Sequence, residues 1–202
     1  MIKYILIAMT AIFATIFIFF KVRRRGGIVT ATKAIAALSF VSLGFVMVSK
    51  SPANAGLIML FGLVLGMAAF AIEHIAVFCA VTVACGFHIL YFGISLAFGA
   101  VTALAVLFAV RKNMNFGELF YPSAIYASLL TATMAYYILM AVLGGLAVTL
   151  AIGAVLFFIS DFIILFILFG EKDTTKMNVF NLSTYFAAQI MYALSLGGLV
   201  IK

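Results

Sequence analysis

The sequence has little charge, and acidic residues are the scarcest. Of its 202 residues 8% are charged, and five Asp and Glu stand against 12 Lys and Arg, for a formal net charge of +7. A soluble domain has roughly a quarter of its residues charged, so a soluble globular fold is excluded. The shortage of charge, with only two cysteines, also excludes a disordered chain, a coiled coil, a nucleic-acid-binding protein and a disulfide scaffold.

Long apolar runs take the place of the missing charge. Hydrophobic residues make up 68% of the chain, and its mean hydropathy is +1.37. A helix needs about 20 apolar residues to cross the hydrocarbon core, and the continuous runs lack the alternation of a β-barrel. We therefore predict an all-α polytopic membrane bundle, a single transmembrane domain over residues 1–202 with about eight helices, at 2–20, 35–49, 55–72, 75–92, 95–110, 120–141, 146–169 and 180–201.

The basic residues are unevenly divided between the predicted loops. Lys21 and three arginines at 23–25 directly follow the first apolar run, which favours a membrane span over a cleaved signal peptide. Loops rich in Lys and Arg stay in the cytoplasm, so we predict a multi-pass protein of the cell (inner) membrane with both termini outside. The outer face would then carry three basic residues, Lys3, Lys50 and Lys202. The cytoplasmic loops would carry nine: Lys21, Arg23, Arg24, Arg25, Lys33, Arg111, Lys112, Lys172 and Lys176.

A few polar side chains fall inside the predicted spans, where they are costly. An ionised carboxylate near the bilayer centre costs at least about 2.5–3.5 kcal/mol, and Asp161 is the only acidic residue deep in a predicted span. At 1.5 Å per residue, Asp161 would lie about 12 Å, Gln189 about 13 Å and His88 about 20 Å from the predicted cytoplasmic face. We expect the three side chains to share one layer near the midplane.

Helical spacing extends this layer into polar stripes on three predicted helices. Such stripes are typical of an interior cavity, but also of interhelical hydrogen bonds and interfacial tyrosines. A structural role is favoured for Tyr137 and Tyr192 and a functional one for Asp161, while for His88 both stay open. The stripes consist of Asn181, Tyr185, Gln189 and Tyr192, of Tyr126, Thr133 and Tyr137, and of His88, Tyr91 and Ser95.

Motifs of other chemistries are missing. Cys79 and Cys85 are six residues apart on different faces of one predicted helix, so neither a disulfide nor a thiolate metal pair is expected. The chain has no phosphate-binding glycine loop, no GxSxG turn and no HExxH pair. We expect no metal and no cofactor. A solute or ion transporter is disfavoured, because neither a line of ionisable groups nor paired half-repeats are evident.

Several short segments carry a resemblance to a known family. The run LFFISD at 156–161 is followed by TYFAAQ at 184–189 and ALS at 193–195. His88 and Tyr91, and then Pro122, Tyr126 and Met134, precede them. Together these segments resemble the YhhN family of lysoplasmalogenase-like proteins, which are eight-helix integral membrane proteins.

The resemblance implies hydrolysis of the vinyl ether bond of a lysoplasmalogen, a single-chain ether lysophospholipid, to a fatty aldehyde and a glycerophospho-ethanolamine or -choline. The reaction begins with protonation of an alkene carbon, and burial at low dielectric favours the protonated form of a carboxyl group. Asp161 is then the expected acid or its partner, and His88 or a second carboxylate would activate water. The expected substrate-binding residues are Tyr91, Tyr126, Ser160, Tyr185 and Gln189.

The sequence departs from the family pattern in the third predicted helix. Gly66 and Met67 stand where the family has a Gly-Asp pair, and methionine cannot transfer a proton. Glu73 is six residues on, about 240° around the helix, so it does not replace the aspartate from the same face. Three interpretations stay open: a different alignment, a reaction carried by His88 and Asp161, or loss of the reaction with the pocket retained. The alternative function is therefore a non-catalytic lipid-binding or lipid-transporting protein, with membrane lipids as partners in either case.

Overall fold

The computed structural model describes residues 2–22, 70–170 and 174–198, together with positions 39, 42, 43 and 46. These residues contain helices and no strands, which confirms the all-α prediction for this part of the chain. The α-helices are α1 (Ile2–Val22), α2 (Phe70–Cys85), α3 (Ile89–Val110), α4 (Phe120–Leu143), α5 (Val148–Phe169) and α6 (Thr175–Ser195).

The described helices are those of an integral membrane protein. Four segments are long and apolar enough to cross a bilayer: Ile2–Phe19, Ile89–Asn113, Phe120–Leu143 and Val148–Phe169. α6 has a similar length of 21 residues but carries more polar side chains. The predicted spans 35–49 and 55–72 lie outside the described residues except at a few positions, so the count of eight membrane helices stays a prediction.

Several predicted helix boundaries are corrected by the structure. α2 runs unbroken from Phe70 to Cys85, through residues 73–74, which the prediction leaves between the spans 55–72 and 75–92, and α6 begins at Thr175 rather than at 180. The spans predicted at 75–92 and 95–110 place a break near Gly93, whereas the chain breaks at 86–88 and Gly93 lies within α3. Gly86 has a φ of 80°, a left-handed conformation that glycine adopts without the cost of a Cβ atom. Hydropathy cannot distinguish the two glycines, because the whole stretch is apolar.

The helices pack side by side in chain order. α3 contacts α4, α4 contacts α5, α5 contacts α6, and α1 packs against α6. The backbone N–H of Asn115, between α3 and α4, donates to the carbonyl of Phe169 at the end of α5 over 2.7 Å. This side of the bundle is called the Asn115 end here, and the opposite side, where the turn containing Gly145 joins α4 to α5, the Gly145 end.

One face of α2 packs into the main core and contributes small side chains, whereas Ile75 and Val83 on its other side are exposed. Its buried residues share one apolar cluster with residues from α4, α5 and α6. Phe78 of α2 contacts Tyr136 of α4, with 5.5 Å between ring centroids. The buried members from α2 are Val77, Ala80, Val81 and Ala84, and those facing them include Tyr136, Met140, Leu150, Phe157, Ala188 and Tyr192.

Candidate functional site

Asp161 and Tyr126 meet across the contact between α5 and α4. The hydroxyl of Tyr126 donates a hydrogen bond to Oδ2 of Asp161. Asp161 lies eight residues before the end of α5, about 12 Å from the Asn115 end, which is the depth predicted from the sequence. The only acidic side chain deep in the predicted spans is thus bound by a phenol from the neighbouring helix.

A cavity of about 610 Å³ lies beside this pair, between α4 and α5. Its size falls within the range of about 300–1,000 Å³ that is usual for small-molecule sites. Ser123, Tyr126 and Asp161 supply its polar side chains, and the rest of its lining is apolar. The apolar walls include Pro122, Ala127 and Leu130 from α4, and Phe158, Phe162 and Leu165 from α5.

Ser160 turns away from this cavity toward α6. Its hydroxyl donates a hydrogen bond to the backbone carbonyl of Asn181 over 3.2 Å. The side-chain amide of Asn181 donates in return to the backbone carbonyl of Ser160 over 2.6 Å. Neighbouring helical residues point about 100° apart, so Asp161 can face α4 while Ser160 faces α6. Ser160, predicted to bind substrate, here links two helices in a buried position.

Tyr185 and Gln189 lie deeper in the bundle than Asp161. The ring centroid of Tyr185 is 5.9 Å from that of Phe157, one turn below Asp161, and Gln189 is 1% exposed. α6 begins at Thr175, five residues earlier than predicted, so Gln189 lies about 21 Å rather than about 13 Å from the Asn115 end. Neither side chain lines the described cavity.

His88 lies at the opposite end of the bundle from the cavity. It precedes α3 with extended backbone angles (φ −100°, ψ 91°), is exposed, and stacks on Tyr91 with 5.2 Å between ring centroids. α3 starts at the Gly145 end, because Phe92 contacts Tyr136 near the end of α4. Along α5, that end is about 20 Å from Asp161. The predicted meeting of His88 with Asp161 near the midplane is therefore not found.

A second histidine, which the sequence reasoning did not consider, lies closer to Asp161. His74 of α2 contacts Phe157, with 4.5 Å between ring centroids and 67° between ring planes. Phe157 is four residues before Asp161 and faces a similar direction. The feature of the sequence that points to His74 is a titratable side chain within an otherwise apolar segment. Met67, and the side chain of Glu73, lie outside the described residues.

The described residues offer no cluster of three His, Cys, Asp or Glu side chains that could hold a metal ion. Cys79 and Cys85 are free thiols, the first exposed and the second partly buried.

Comparison with known proteins identifies the family of the chain. Neither curated proteins nor solved structures give a match. The YhhN family matches residues 1–196, which is essentially the whole chain. The resemblance seen in the sequence is confirmed, and the chain belongs to the YhhN family.

Proposed function

We propose that this protein is a lysoplasmalogenase-like membrane hydrolase that cleaves the vinyl ether bond of lysoplasmalogens. Membership of the YhhN family is consistent with this activity. The observation that carries the proposal is the carboxyl group of Asp161, bonded to Tyr126 on the wall of an apolar cavity between two membrane helices.

Asp161 supplies the proton that starts the reaction. Vinyl ether hydrolysis begins when an acid protonates the alkene carbon remote from the oxygen, which leaves an oxocarbenium ion. A carboxyl group in low-dielectric surroundings favours its protonated form, as this step requires. The carboxylate left behind keeps the hydrogen bond from Tyr126, and hydrogen bonds to ionised acceptors are stronger than neutral ones.

Water completes the reaction. It adds to the oxocarbenium carbon with loss of one proton and forms a hemiacetal. The carbon–oxygen bond to glycerol then breaks, which yields the aldehyde and the glycerophospho-alcohol. The proton that water loses balances the one that Asp161 gave to the alkene, so the carboxyl group is restored and no oxidant, reductant or cofactor is consumed.

The cavity suits a lipid with a single chain. Its walls are almost entirely apolar, so an alkenyl chain gains about 25 cal/mol for each Å² of apolar surface removed from water. The polar side chains of Ser123, Tyr126 and Asp161 would then receive the vinyl ether where the chain meets the glycerol. The apolar walls and the acid therefore lie at one location.

The test is aldehyde release from lysoplasmenylcholine by the purified protein in nanodiscs. We expect the wild type to release aldehyde and Asp161→Asn to release it at least about 100-fold more slowly, because the amide cannot serve as the acid. Asp173→Asn removes the other aspartate of the chain and is the matched control, expected to retain activity. No release by the wild type, or equal rates for the wild type and Asp161→Asn, would contradict the proposal.

The second candidate is a lipid-binding or lipid-transporting protein that uses the same cavity without catalysis. The observation that favours it is Met67 in place of the family's aspartate. Native mass spectrometry would then detect a retained single-chain lipid in a protein that turns over no member of a panel of vinyl ether, alkyl ether and ester lysophospholipids. Loss of turnover specific to Asp161→Asn would exclude this candidate.

A further inference from the structure

We infer that Ser123 determines the specificity of the site by bonding the free hydroxyl on the central glycerol carbon of a lysophospholipid, called the central hydroxyl here. The inference rests on the proposed function, because it places the glycerol of that substrate relative to Asp161. Ser123 is not part of the segments that carry the family resemblance, and it lines the same cavity as Tyr126 and Asp161.

Ser123 supplies the third polar side chain of the cavity. Of the residues that line the cavity, Ser123, Tyr126 and Asp161 are the polar ones. The phenol of Tyr126 has one proton to donate, and it donates that proton to Asp161. A second polar group of the ligand would therefore meet the hydroxyl of Ser123.

The hydroxyl of Ser123 differs from the other Ser and Thr hydroxyls of α4. Those of Ser128, Thr131 and Thr133 each donate to a backbone carbonyl of the same helix, which satisfies them without a partner. No hydrogen bond joins the Ser123 hydroxyl to another residue in the part of the chain that the structure describes. The serine that lines the cavity is thus the one whose hydroxyl is available to a ligand.

The depth of Asp161 decides which way the substrate points. Asp161 is eight residues from the end of α5 and 13 from its start, about 12 Å from the Asn115 end and about 20 Å from the Gly145 end. A charged phosphate has to reach a membrane surface, because a buried charge is costly. The headgroup therefore points to the nearer Asn115 end, where Arg111 and Lys112 are exposed and offer positive charge to a phosphate.

Ser123 lies between Asp161 and that end. It is three residues before Tyr126 on α4, about 4.5 Å closer to the Asn115 end and about 60° around the helix. In the substrate, five bonds separate the central hydroxyl oxygen from the alkene carbon that Asp161 protonates, which is about 6 Å in an extended chain of bonds of about 1.5 Å. The spacing along α4 and the spacing in the lipid are comparable.

A hydrogen bond at this position selects the lyso form of the lipid. A serine hydroxyl and an alcohol can each donate and accept, whereas an acylated oxygen has no proton to donate and carries a second chain. A site that bonds a substrate hydroxyl discriminates against an analogue that lacks it. Ser123 thus favours a lysoplasmalogen over a plasmalogen that is acylated at the central carbon.

The experiment compares kcat/KM for aldehyde release from lysoplasmenylcholine and from its 2-deoxy analogue, in which hydrogen replaces the central hydroxyl. The full-length protein in nanodiscs is used. We expect the wild type to prefer lysoplasmenylcholine at least about fivefold, within the range of one hydrogen bond. Ser123→Ala should reduce this preference to less than about twofold by losing activity on lysoplasmenylcholine alone, because the partner of the bond is removed.

Ser128→Ala is the matched control. Ser128 is half-buried on the same helix, like Ser123, but it bonds the carbonyl of Ala124 and does not line the cavity. This variant should keep the wild-type preference between the two lipids.

A binding measurement separates this inference from the proposed function. Native mass spectrometry of the protein with equal amounts of a non-cleavable 1-O-alkyl lysophosphocholine and its 2-deoxy counterpart gives the ratio of the two bound lipids. We expect the wild type to retain the alcohol at least about threefold more and Ser123→Ala to retain both equally. If the wild type releases no aldehyde, the proposed function fails, and this ratio alone decides on Ser123.

Three results would overturn the inference. Equal kcat/KM, or equal retention, of the paired lipids in the wild type would show that the central hydroxyl is not recognised. An unchanged preference in Ser123→Ala would assign the recognition to another group. The same loss of preference in Ser128→Ala would show that the effect comes from the helix and not from a hydroxyl in the cavity.

Discussion

The hydrogen bond of Asp161 comes from a neighbouring helix, whereas several serine and threonine hydroxyls bond within their own helix. The hydroxyls of Thr82, Ser128 and Thr133 donate to the backbone carbonyl four residues before them, within their own helix. Such bonds satisfy a polar group without a partner helix, so polar residues in a span indicate little by themselves. Asp161 carries a carboxyl group, which has no proton to donate to a carbonyl of its own helix when it is ionised. Its hydrogen bond comes instead from Tyr126 of α4.

Replacing Tyr126 by Phe tests this bond directly. A hydrogen bond to a charged group contributes about 1.5–3 kcal/mol, so we expect Tyr126→Phe to slow aldehyde release about 10-fold or more while the cavity keeps its shape. The measurement is kcat with lysoplasmenylcholine.

Tyr121→Phe is the matched control for this substitution. Tyr121 is on the same helix, is 76% exposed and does not line the cavity. Equal losses of activity in the two variants would show that the effect comes from the helix and not from the bond to Asp161.

At the scale of helices, glycine sets how closely α3 approaches α4. A Cβ atom at Gly99 would lie 2.6 Å from the backbone nitrogen of Ala132 and 2.7 Å from the carbonyl oxygen of Ser128. Close backbone contact at small residues is how membrane helices gain packing energy without a hydrophobic driving force. This contact holds α4, and with it Tyr126, against the rest of the bundle.

Gly99→Ala should therefore destabilise the protein. Backbone atoms cannot yield as a flexible side chain can, and overpacking costs about 1–3 kcal/mol. We expect a lower thermal denaturation midpoint in detergent, read by size-exclusion chromatography after heating. Gly93→Ala on the same helix, where an added Cβ meets nothing within 4 Å, is the control and should leave the midpoint unchanged or raise it. Equal midpoints for the two variants would contradict the close contact.

The polar stripe of α6 illustrates what helical spacing can predict. Asn181, Tyr185 and Tyr192 do lie on one face, and that face packs on α5: Asn181 bonds Ser160, and both tyrosine rings contact Phe157. The favoured structural role for Tyr192 agrees with its stacking on Phe157. Spacing determines which residues share a face, but it carries no information about which neighbour, or which cavity, that face meets.

At the scale of the whole molecule, the two connections on either side of α4 differ in their basic residues. The Asn115 end carries Arg111 and Lys112 between α3 and α4, whereas the turn at 144–147 carries no charged residue. The Arg111 guanidinium lies 4.9 Å from the centroid of the Phe120 ring, at the start of α4. By the positive-inside rule, the Asn115 end would be cytoplasmic and the Gly145 end outside.

Cysteine labelling in cells tests this orientation. In a background carrying Cys79→Ser and Cys85→Ser, we expect Leu143→Cys to react with a membrane-impermeant maleimide in intact cells, because Leu143 is exposed at the Gly145 end. Lys112→Cys should react only after permeabilisation. The reverse pattern would place both ends opposite to the prediction, and the termini with them.

The shortage of charge by itself determined that the chain is a helical membrane protein, because only a bilayer accommodates so much apolar surface, and it left Asp161 as the one acid deep in a span. Four of the described helices are long and apolar enough to cross a bilayer. Tertiary structure alone decided the neighbours of Asp161: Tyr126 bonds it, and His88 and Gln189 lie at other levels of the bundle. His74 contacts Phe157, which is one turn before Asp161 on α5. The reason is geometric, since an error of five residues in a helix end shifts every side chain by about 7.5 Å, and packing, not periodicity, sets which faces meet.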